Sequence, residues 1–174
     1  GTGAYSFTDL RPGDYQVRFT LPAGTIFTTP NAASTTSAND SDALIISPTV
    51  GETVQTTLAP NETDNTWDAG VIPLASLGDF VWQDTNNNGQ QNGGEPGVAG
   101  AVVTLLDNTG TPVATDALGN LINPITTVAG GAYSFTNLDP RLPYIVQFER
   151  PAGYVFSTPN TGSGVIAAAM PGRW

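Results

Sequence analysis

The chain has 174 residues, including 20 glycines and 14 prolines, and carries a formal net charge of −10. Its basic residues are five arginines without any lysine, which excludes the basic patch that nucleic-acid binding requires. The absence of cysteine and histidine excludes disulfides, zinc–thiolate sites and a Ser-His-Asp triad, and no apolar run approaches the roughly 20 residues of a membrane span.

The first predicted elements are strands in which apolar and polar residues alternate. Residues 4–7 (AYSF) and 15–19 (YQVRF) both show a period of two, and in the second run Tyr15, Val17 and Phe19 share one face. Pairs containing glycine or proline separate such runs and mark tight turns. Since no long segment has apolar residues at helical spacing, the sequence predicts an all-β fold of the sandwich type.

Farther along, residues 84–95 (DTNNNGQQNGGE) have the spacing of a calcium-binding loop of the EF-hand type. In such a loop the side chains at positions 1, 3 and 5 converge, and glycine at position 6 permits the tight turn. A carbonyl at position 7 and a glutamate at position 12 supply further oxygens. The predicted Ca²⁺ ligands are Asp84, Asn86, Asn88, Gln90 and Glu95. Asn92 occupies position 9 of the same spacing but is not a predicted ligand.

The residues around this loop are not those of a helical EF-hand. Residues 79–82 (DFVW) favour a strand before the loop, and Pro96-Gly97 prevents a helix from starting directly after it. The loop is therefore predicted to join strands. The alternative interpretation is a plain hairpin turn built on Asn88-Gly89, which would require neither an aspartate at the start nor a glutamate at the end.

Later elements repeat earlier ones. Residues 100–106 (GAVVTLL) form a continuous apolar run that predicts a buried strand. GAYSFTNL at 131–138 matches GAYSFTDL at 3–10, and PAGYVFSTPN at 151–160 matches PAGTIFTTPN at 22–31. The first offset is 128 residues, which is the size of a domain and too long for a solenoid repeat, so we expect tandem β-sandwich repeats.

The phase of this repeat divides the chain. We predict that residues 1–76 are the C-terminal part of one repeat and that residues 77–174 are the N-terminal and middle part of the next. The final residues, 162–174, do not resemble the stretch that follows Asn31 and lack its DSD triplet at 40–42. We expect an interrupted second repeat there.

Several of these stretches together carry a family resemblance. They are LGDFVWQDTNNNGQQNGGEPGVAGAVVTLLD (77–107), GGAYSFTNLDP (130–140), PAGYVFSTP (151–159), NDSDAL (39–44) and WDAG (67–70). On them the chain resembles the SdrD B-like repeat, a relative of the Cna B-type domains of bacterial surface proteins. The combination of the opening strand with the loop is specific, whereas the shorter elements alone would be weak.

The resemblance implies a prealbumin-like, Ig-like β-sandwich that binds several Ca²⁺ ions per repeat, with the loop ligands named above. It also implies that Asp79, Asp40 and Asp42 are candidate ligands of further calcium sites. The chain departs from the family pattern at two places, which affect the charge and the geometry of these sites. Gln91-Asn92 stands where relatives often carry an aspartate, which lowers the charge of the loop, and the loop from 107 to 128 is longer than usual.

The same resemblance implies a structural stalk or spacer in an extracellular, cell-surface bacterial protein, with neighbouring repeats or identical subunits as head-to-tail partners. Some Cna B-type relatives form Lys–Asn isopeptide bonds, which this chain cannot form because it has no lysine. Bound Ca²⁺ is therefore the expected stiffener. The sequence does not identify a host or matrix ligand.

Two other classes of function have candidate residues. An adhesin or carbohydrate-binding module would need exposed aromatic residues, for which Trp67 and Trp82 are candidates, although large aromatic side chains are mostly buried. A glycoside hydrolase would need paired carboxylates, for which Asp64 and Asp68 are a conceivable pair. Calcium ligation or solvent exposure explains this pair better, and we expect that the protein is not an enzyme.

Overall fold

The computed structural model describes residues 3–30 and 40–157. Over these two ranges the fold is all-β and sandwich-like, with twelve strands and no helix, which confirms the predicted fold class. The same ranges contain no helix that is long and apolar enough to cross a membrane. The chain divides into two compact units, of which the first comprises residues up to 75 together with 115–120 and 137–140.

The first unit contains seven short strands. They are β1 (Gly13–Tyr15), β2 (Arg18–Thr20), β3 (Thr25–Phe27), β4 (Leu44–Ser47), β5 (Val50–Glu52), β6 (Thr56–Leu58) and β7 (Val71–Pro73). β5 lies between β2 and β4, while β1 pairs with β6 and β3 pairs with β7, and all of these pairs are antiparallel.

The predicted strand at 15–19 is divided between two of these sheets. Tyr15 ends β1, which pairs with β6, whereas Arg18 begins β2, which pairs with β5. The division occurs where the Thr53 hydroxyl accepts a hydrogen bond from the Val17 N–H at 3.1 Å and the Thr53 N–H donates to the Val17 carbonyl at 3.0 Å. The predicted apolar face is confirmed, since its three residues are half-buried and the two between them are exposed.

Phe27 is the largest fully buried side chain of the first unit, with 1% of its surface exposed. It lies against Gly51 of β5, where an added Cβ would be 3.0 Å from the Phe27 ring and 3.0 Å from the Ala43 Cβ. A larger residue at Gly51 would therefore have to displace this core.

The second unit contains most of the remaining strands. They are β8 (Ala75–Phe80), β9 (Val102–Leu106), β10 (Ile125–Thr126), β11 (Ala132–Leu138) and β12 (Ile145–Glu149). β9 lies between β10 and β12, and β8 pairs with β11. The segment 71–78, which spans the predicted boundary between the two repeat parts, contains β7 and the start of β8.

β9 provides the core of the second unit. Val103 and Leu105 are 0% and 1% exposed, which confirms the predicted buried strand. Beside it, the buried Thr127 hydroxyl donates to the Val98 carbonyl at 2.8 Å and accepts from the Ala101 N–H at 3.0 Å. This buried polar group is thus fully satisfied by backbone partners.

The prediction of a strand at residues 4–7 is wrong. The matching residues 132–135 lie in β11 and pair with β8, whereas residues 3–10 are all exposed and belong to no strand of the described chain. An alternating pattern indicates which side chains share a face, but a strand also requires a neighbour for its backbone N–H and C=O groups.

Candidate metal centre

Residues 84–95 form a closed loop between β8 and β9. Its two ends meet where the Gln83 N–H donates to the Pro96 carbonyl at 2.8 Å. Within the loop, Asn87 and Gly89 have φ angles of 56° and 70°, a left-handed conformation that asparagine and glycine tolerate best. The prediction that this loop joins strands is confirmed.

Asp84 organises the first half of the loop. Its Oδ1 accepts a hydrogen bond from the Asn88 N–H at 3.1 Å, and its Oδ2 accepts one from the Gly89 N–H at 2.8 Å. Desolvation acts to raise the pKa of the Asp84 carboxyl, but backbone amides of the loop outweigh it and hold the pKa below its usual value. The carboxylate is therefore ionised at neutral pH and has lone pairs left for a cation.

Glu95 fastens the two halves of the loop together. Its Oε1 accepts from the Thr85 N–H at 3.0 Å, and its Oε2 accepts from the Asn92 N–H at 2.9 Å. One carboxylate thus bridges the start and the end of the loop. A plain hairpin on Asn88-Gly89 would not require this bridge.

The amide side chains of the loop converge on Asn92. The Nδ2 atoms of Asn86 and Asn88 each donate to the Asn92 Oδ1 at 2.9 Å. Gln90, by contrast, is exposed, and its backbone N–H donates to the Asn88 Oδ1 at 2.8 Å. Asn92 is not among the predicted ligands, and its position 9 in the spacing is the sequence signal for its place at the centre of these contacts.

The chemistry of these residues fits a calcium ion. Ca²⁺ takes six to eight oxygens, and the loop offers two carboxylates, several amide oxygens and backbone carbonyls. Across residues 3–30 and 40–157, no group of three or more acidic side chains is arranged to hold a metal ion. Neutral oxygens would therefore have to complete the coordination sphere of the ion. The Asn86 and Asn88 amides could present theirs by rotation, because amide nitrogen and oxygen are interchangeable in shape.

The first unit has a separate acidic cluster around Asp42, which is 6% exposed. The Asp42 N–H donates to the Asp68 carbonyl at 3.0 Å, and the Asp68 N–H donates to the Asp42 Oδ2 at 3.1 Å. Asp40 Oδ1 and Ser41 Oγ are buried without a hydrogen-bond partner. The structure thus brings Asp40 and Asp42 close to a third acid, Asp68, which the sequence analysis had paired with Asp64.

Electrostatic repulsion is evident within this cluster. Partial burial, followed by the charges of Asp42 and Asp40, raises the pKa of the Asp68 carboxyl. Burial and the charges of Asp68 and Asp42 likewise raise the pKa of the Tyr5 hydroxyl, which donates to the Trp67 carbonyl. Asp68 is exposed, so water screens much of its share of this repulsion. A cation would relieve the remainder.

Asp79 lies in the second unit, exposed on β8. Burial, followed by the Asp79 charge, raises the pKa of the Tyr133 hydroxyl. The structure therefore assigns Asp79 to one unit and the pair Asp40 and Asp42 to the other.

Asp64 and Trp67 are joined by a side-chain hydrogen bond. The Asp64 carboxylate accepts from the Thr66 hydroxyl at 2.6 Å and from the Trp67 Nε1 at 2.7 Å, and the Thr66 hydrogen bond is the largest influence that lowers its pKa. Such a carboxylate stays ionised, unlike the general acid of a glycoside hydrolase, whose pKa is raised. Trp67 is half-buried, and Trp82 is half-buried with an indole N–H that has no partner.

The described chain is all-β and sandwich-like, and its two clusters of polar and acidic side chains lie in loops between strands. These features define a β-sandwich domain protein. The sequence profile of the SdrD B-like domain matches residues 1–71 and 75–168, and the chain belongs to this family.

Its relatives include three staphylococcal proteins of much greater length. Serine-aspartate repeat-containing protein F of Staphylococcus epidermidis is 36% identical over 165 residues, which are 94% of this chain and 9% of that protein. Bone sialoprotein-binding protein of Staphylococcus aureus is 38% identical over 162 residues, 91% of this chain and 12% of that protein. Serine-aspartate repeat-containing protein D of Staphylococcus aureus is 36% identical over 166 residues, 94% of this chain and 11% of that protein.

Proposed function

We propose that the chain forms tandem β-sandwich repeats that Ca²⁺ stiffens, and that these repeats act as a stalk or spacer in an extracellular protein of the bacterial cell surface. Family membership and the similarity to repeat-containing staphylococcal proteins support this role. The observation that carries the calcium proposal is the loop 84–95, in which Asp84 and Glu95 each organise the backbone with both carboxylate oxygens.

The proposed stiffening follows from the position of the loop between strands. Without a cation, the loop depends on hydrogen bonds to largely exposed groups, which water can replace. With Ca²⁺ bound, the oxygens of both halves share one ion, so that opening the loop would also require losing the ion. At about a hundredfold excess over Kd, such binding stabilises the folded state by about 2.7 kcal/mol.

The affinity is expected to be weak. Only Asp84 and Glu95 bring formal charge to the loop, and Asn92 stands where a further carboxylate would strengthen it. We therefore place the site in the extracellular range of Kd, roughly 10⁻⁴–10⁻³ M. Asp40 and Asp42 are the proposed ligands of a second ion, because the buried Asp40 Oδ1 lacks a partner, and neutral oxygens would have to complete the coordination sphere of that ion too.

Chelation tests this proposal. The melting temperature is measured with excess calcium and with excess chelator, and a broad-specificity protease is used because residues 83–97 contain neither lysine nor arginine for trypsin. We expect chelation to lower the melting temperature and to make residues 83–97 the first cleavage site. An unchanged melting temperature with chelator would refute the calcium role.

An adhesive role is the second candidate. One relative is named a bone sialoprotein-binding protein, and the first unit exposes Tyr5 and Phe7, which are 47% and 65% exposed. A glycan array probed with the folded chain would distinguish the two roles, because a spacer repeat gives no saturable binding there.

A further inference from the structure

The loop 84–95 contains both Asn-Gly pairs of the chain, Asn88-Gly89 and Asn92-Gly93. In such a pair the backbone nitrogen of the glycine can attack the asparagine side chain, because glycine has no side chain of its own to hinder the approach. The product is a cyclic imide, which water opens to a carboxylate. Since the two pairs share one dipeptide sequence and one loop, a difference in their reactivity comes from the contacts around them.

The glycine nitrogen of the first pair is held by a carboxylate. The Gly89 N–H donates to the Asp84 Oδ2 at 2.8 Å, and Gly89 is half-buried. Attack requires this nitrogen to lose its proton and to turn toward the Asn88 side chain. The hydrogen bond opposes the turn, and the negative charge of Asp84 opposes the loss of the proton. These contacts therefore protect Asn88.

The glycine nitrogen of the second pair has no such restraint. Within residues 3–30 and 40–157, the Gly93 N–H donates no hydrogen bond. Gly93 is exposed, and no described atom lies within 4 Å of a Cβ added to it. Gly94 follows with a φ of 92°, so that two glycines in succession follow Asn92. The backbone can thus rotate here into the geometry of attack.

The side chain of Asn92 is also placed to receive the attack. When a nitrogen adds to its Cγ, negative charge develops on its Oδ1. The Nδ2 atoms of Asn86 and Asn88 already donate to this oxygen, each at 2.9 Å. Donors at this distance stabilise an oxyanion, as they do in enzymes that transfer acyl groups. In the described part of the chain the Asn88 Oδ1 accepts one hydrogen bond, from the Gln90 N–H at 2.8 Å.

We propose that Asn92 is a site of spontaneous modification, at which the loop promotes the conversion of its own asparagine to a carboxylate. The Gly93 nitrogen bonds to the Asn92 Cγ and gives up its proton, and the Cγ–Nδ2 bond breaks to release ammonia. Water then opens the imide. Cleavage between Cγ and the Gly93 nitrogen gives aspartate, and cleavage between the backbone carbonyl carbon and that nitrogen gives isoaspartate.

The aspartate product gives the loop a third carboxylate. The Asn86 and Asn88 amides can donate to it as they donate to the Asn92 amide oxygen, and hydrogen bonds to a carboxylate are the stronger ones. The consequence for calcium rests on the proposed function, because the affinity of such loops depends on the number of charged ligands. The calcium site then tightens as the protein ages.

The test follows both Asn-Gly pairs in one sample. The full chain is incubated in excess chelator in mildly alkaline buffer, both folded and in urea, and is digested with a protease that cleaves before aspartate. This digest releases residues 84–106, which contain both pairs. Tandem mass spectrometry measures the loss of each side-chain amide over time. Aspartate at position 92 creates a new cleavage site, whereas isoaspartate does not, so the digest separates the two products.

In the folded chain we expect Asn92 to react about tenfold or more faster than Asn88, which is the effect of one hydrogen bond to a charged group. In urea the two rates should become similar, because the dipeptide is the same. Equal rates in the folded chain, or faster reaction at Asn88, would overturn the proposal. A folded chain that does not react at Asn92 while the chain in urea does would also overturn it.

Two variants test the contacts of Asn92, and both replace an exposed amide side chain of the loop. Asn86→Ala removes one of the two donors to the Asn92 Oδ1 and should slow the reaction at Asn92 by about threefold or more. Gln90→Ala is the matched control, because it keeps the backbone N–H that donates to Asn88. An unchanged rate at Asn92 in Asn86→Ala would overturn the proposal that the loop promotes the reaction.

Asn92→Asp tests the consequence for calcium. Isothermal titration calorimetry with Ca²⁺ should give a Kd about tenfold lower than that of the unmodified chain, and an unchanged Kd would overturn this consequence. Because the modification is measured in chelator, failure of the calcium role would leave the mass-spectrometric result intact. Calcium binding by a folded chain that keeps its Asn92 amide would overturn the modification alone.

Discussion

The Gly89 N–H donates to the Asp84 carboxylate at 2.8 Å, so the glycine that permits the turn is held by the residue that opens the loop. This hydrogen bond shows one role of Asp84, as an acceptor of backbone amides, and the proposed calcium site would give it a second, as a source of negative charge for the cation. The two roles can be separated by comparison with a second aspartate that has only the first.

Asp107 is that second aspartate. Its Oδ1 accepts from the N–H groups of Thr109 and Thr111 at 2.8 and 3.0 Å, and the side-chain hydrogen bond of Thr109 is the largest influence that lowers its pKa. We predict that Asp84→Asn and Asp107→Asn lower the melting temperature similarly in chelator, but that only Asp84→Asn removes the increase caused by calcium. Differential scanning calorimetry with and without calcium measures both. An equal calcium response in the two variants would show that Asp84 is not a ligand.

The loop ligands should rank by charge. Glu95→Ala removes a carboxylate that bridges the two halves of the loop, whereas Asn86→Ala removes one neutral oxygen donor. We predict that Asp84→Ala and Glu95→Ala each abolish calcium binding at the loop, and that Asn86→Ala weakens it without abolishing it. Isothermal titration calorimetry of the three variants gives the order, and equal losses in all three would contradict it.

Phe135 and Phe7 form a matched pair for a stability test, because they are equivalent in sequence but 4% and 65% exposed. We predict that Phe135→Ala costs about 3–5 kcal/mol of unfolding free energy through lost burial and a cavity. Phe7→Ala should change it by less than about 0.5 kcal/mol, as is usual for surface substitutions. Urea unfolding of both variants measures the difference. Similar costs would mean that Phe7 is covered in solution.

Acid should destabilise the fold. Hydrogen bonds hold the carboxyl pKa values of Asp64 and Asp107 below the ordinary value, and in Asp84 and Asp116 hydrogen bonds outweigh the opposing effect of desolvation. A group with a lowered folded pKa stabilises the fold above its unfolded pKa, about 3.9 for aspartate, and this contribution is lost as the pH falls through the folded values.

The expected result is a melting temperature that changes little above about pH 5 and falls below about pH 4. Circular dichroism melts in chelator from neutral pH to pH 2 measure it. Asp116→Asn should make this fall in melting temperature shallower. The hydrogen bonds that Asp116 accepts from Asn120 and Asn137 have their full strength only while the Asp116 carboxylate is ionised, and the variant has no such charge to lose. A melting temperature that rises with acid would contradict the assigned direction.

Structural elements could be predicted best from the sequence where the neighbouring residues along the chain determine the local structure. The alternating apolar face of residues 15–19 and the buried apolar run of residues 100–106 could both be predicted from local patterns alone. The division of the first of these strands at Val17 depends on Thr53, and whether residues 4–7 form a strand depends on a neighbouring strand, which residues 3–30 and 40–157 do not place beside them. Both are long-range relationships that spacing along the chain does not encode.

The candidate metal centre likewise has one part that local sequence predicts and one part that depends on distant residues. The loop 84–95 is contiguous, so its spacing predicts that the side chains of Asp84, Asn86 and Asn88 converge, but it does not predict that Asn92 accepts a hydrogen bond from both asparagines. The acidic cluster is not contiguous. Asp68 joins Asp42 through paired backbone hydrogen bonds, and no motif of residues 40–42 indicates which distant acid would meet them.

The matching conformations at Gly3 and Gly131 have a consequence for substitution. Their φ angles of 77° and 74° favour glycine, so an alanine would be strained at either position. At Gly131 the added Cβ would also lie 2.0 Å from the Val81 carbonyl oxygen, whereas at Gly3 it would meet no described atom within 4 Å. The same backbone conformation therefore tolerates alanine less well where a second backbone lies against it.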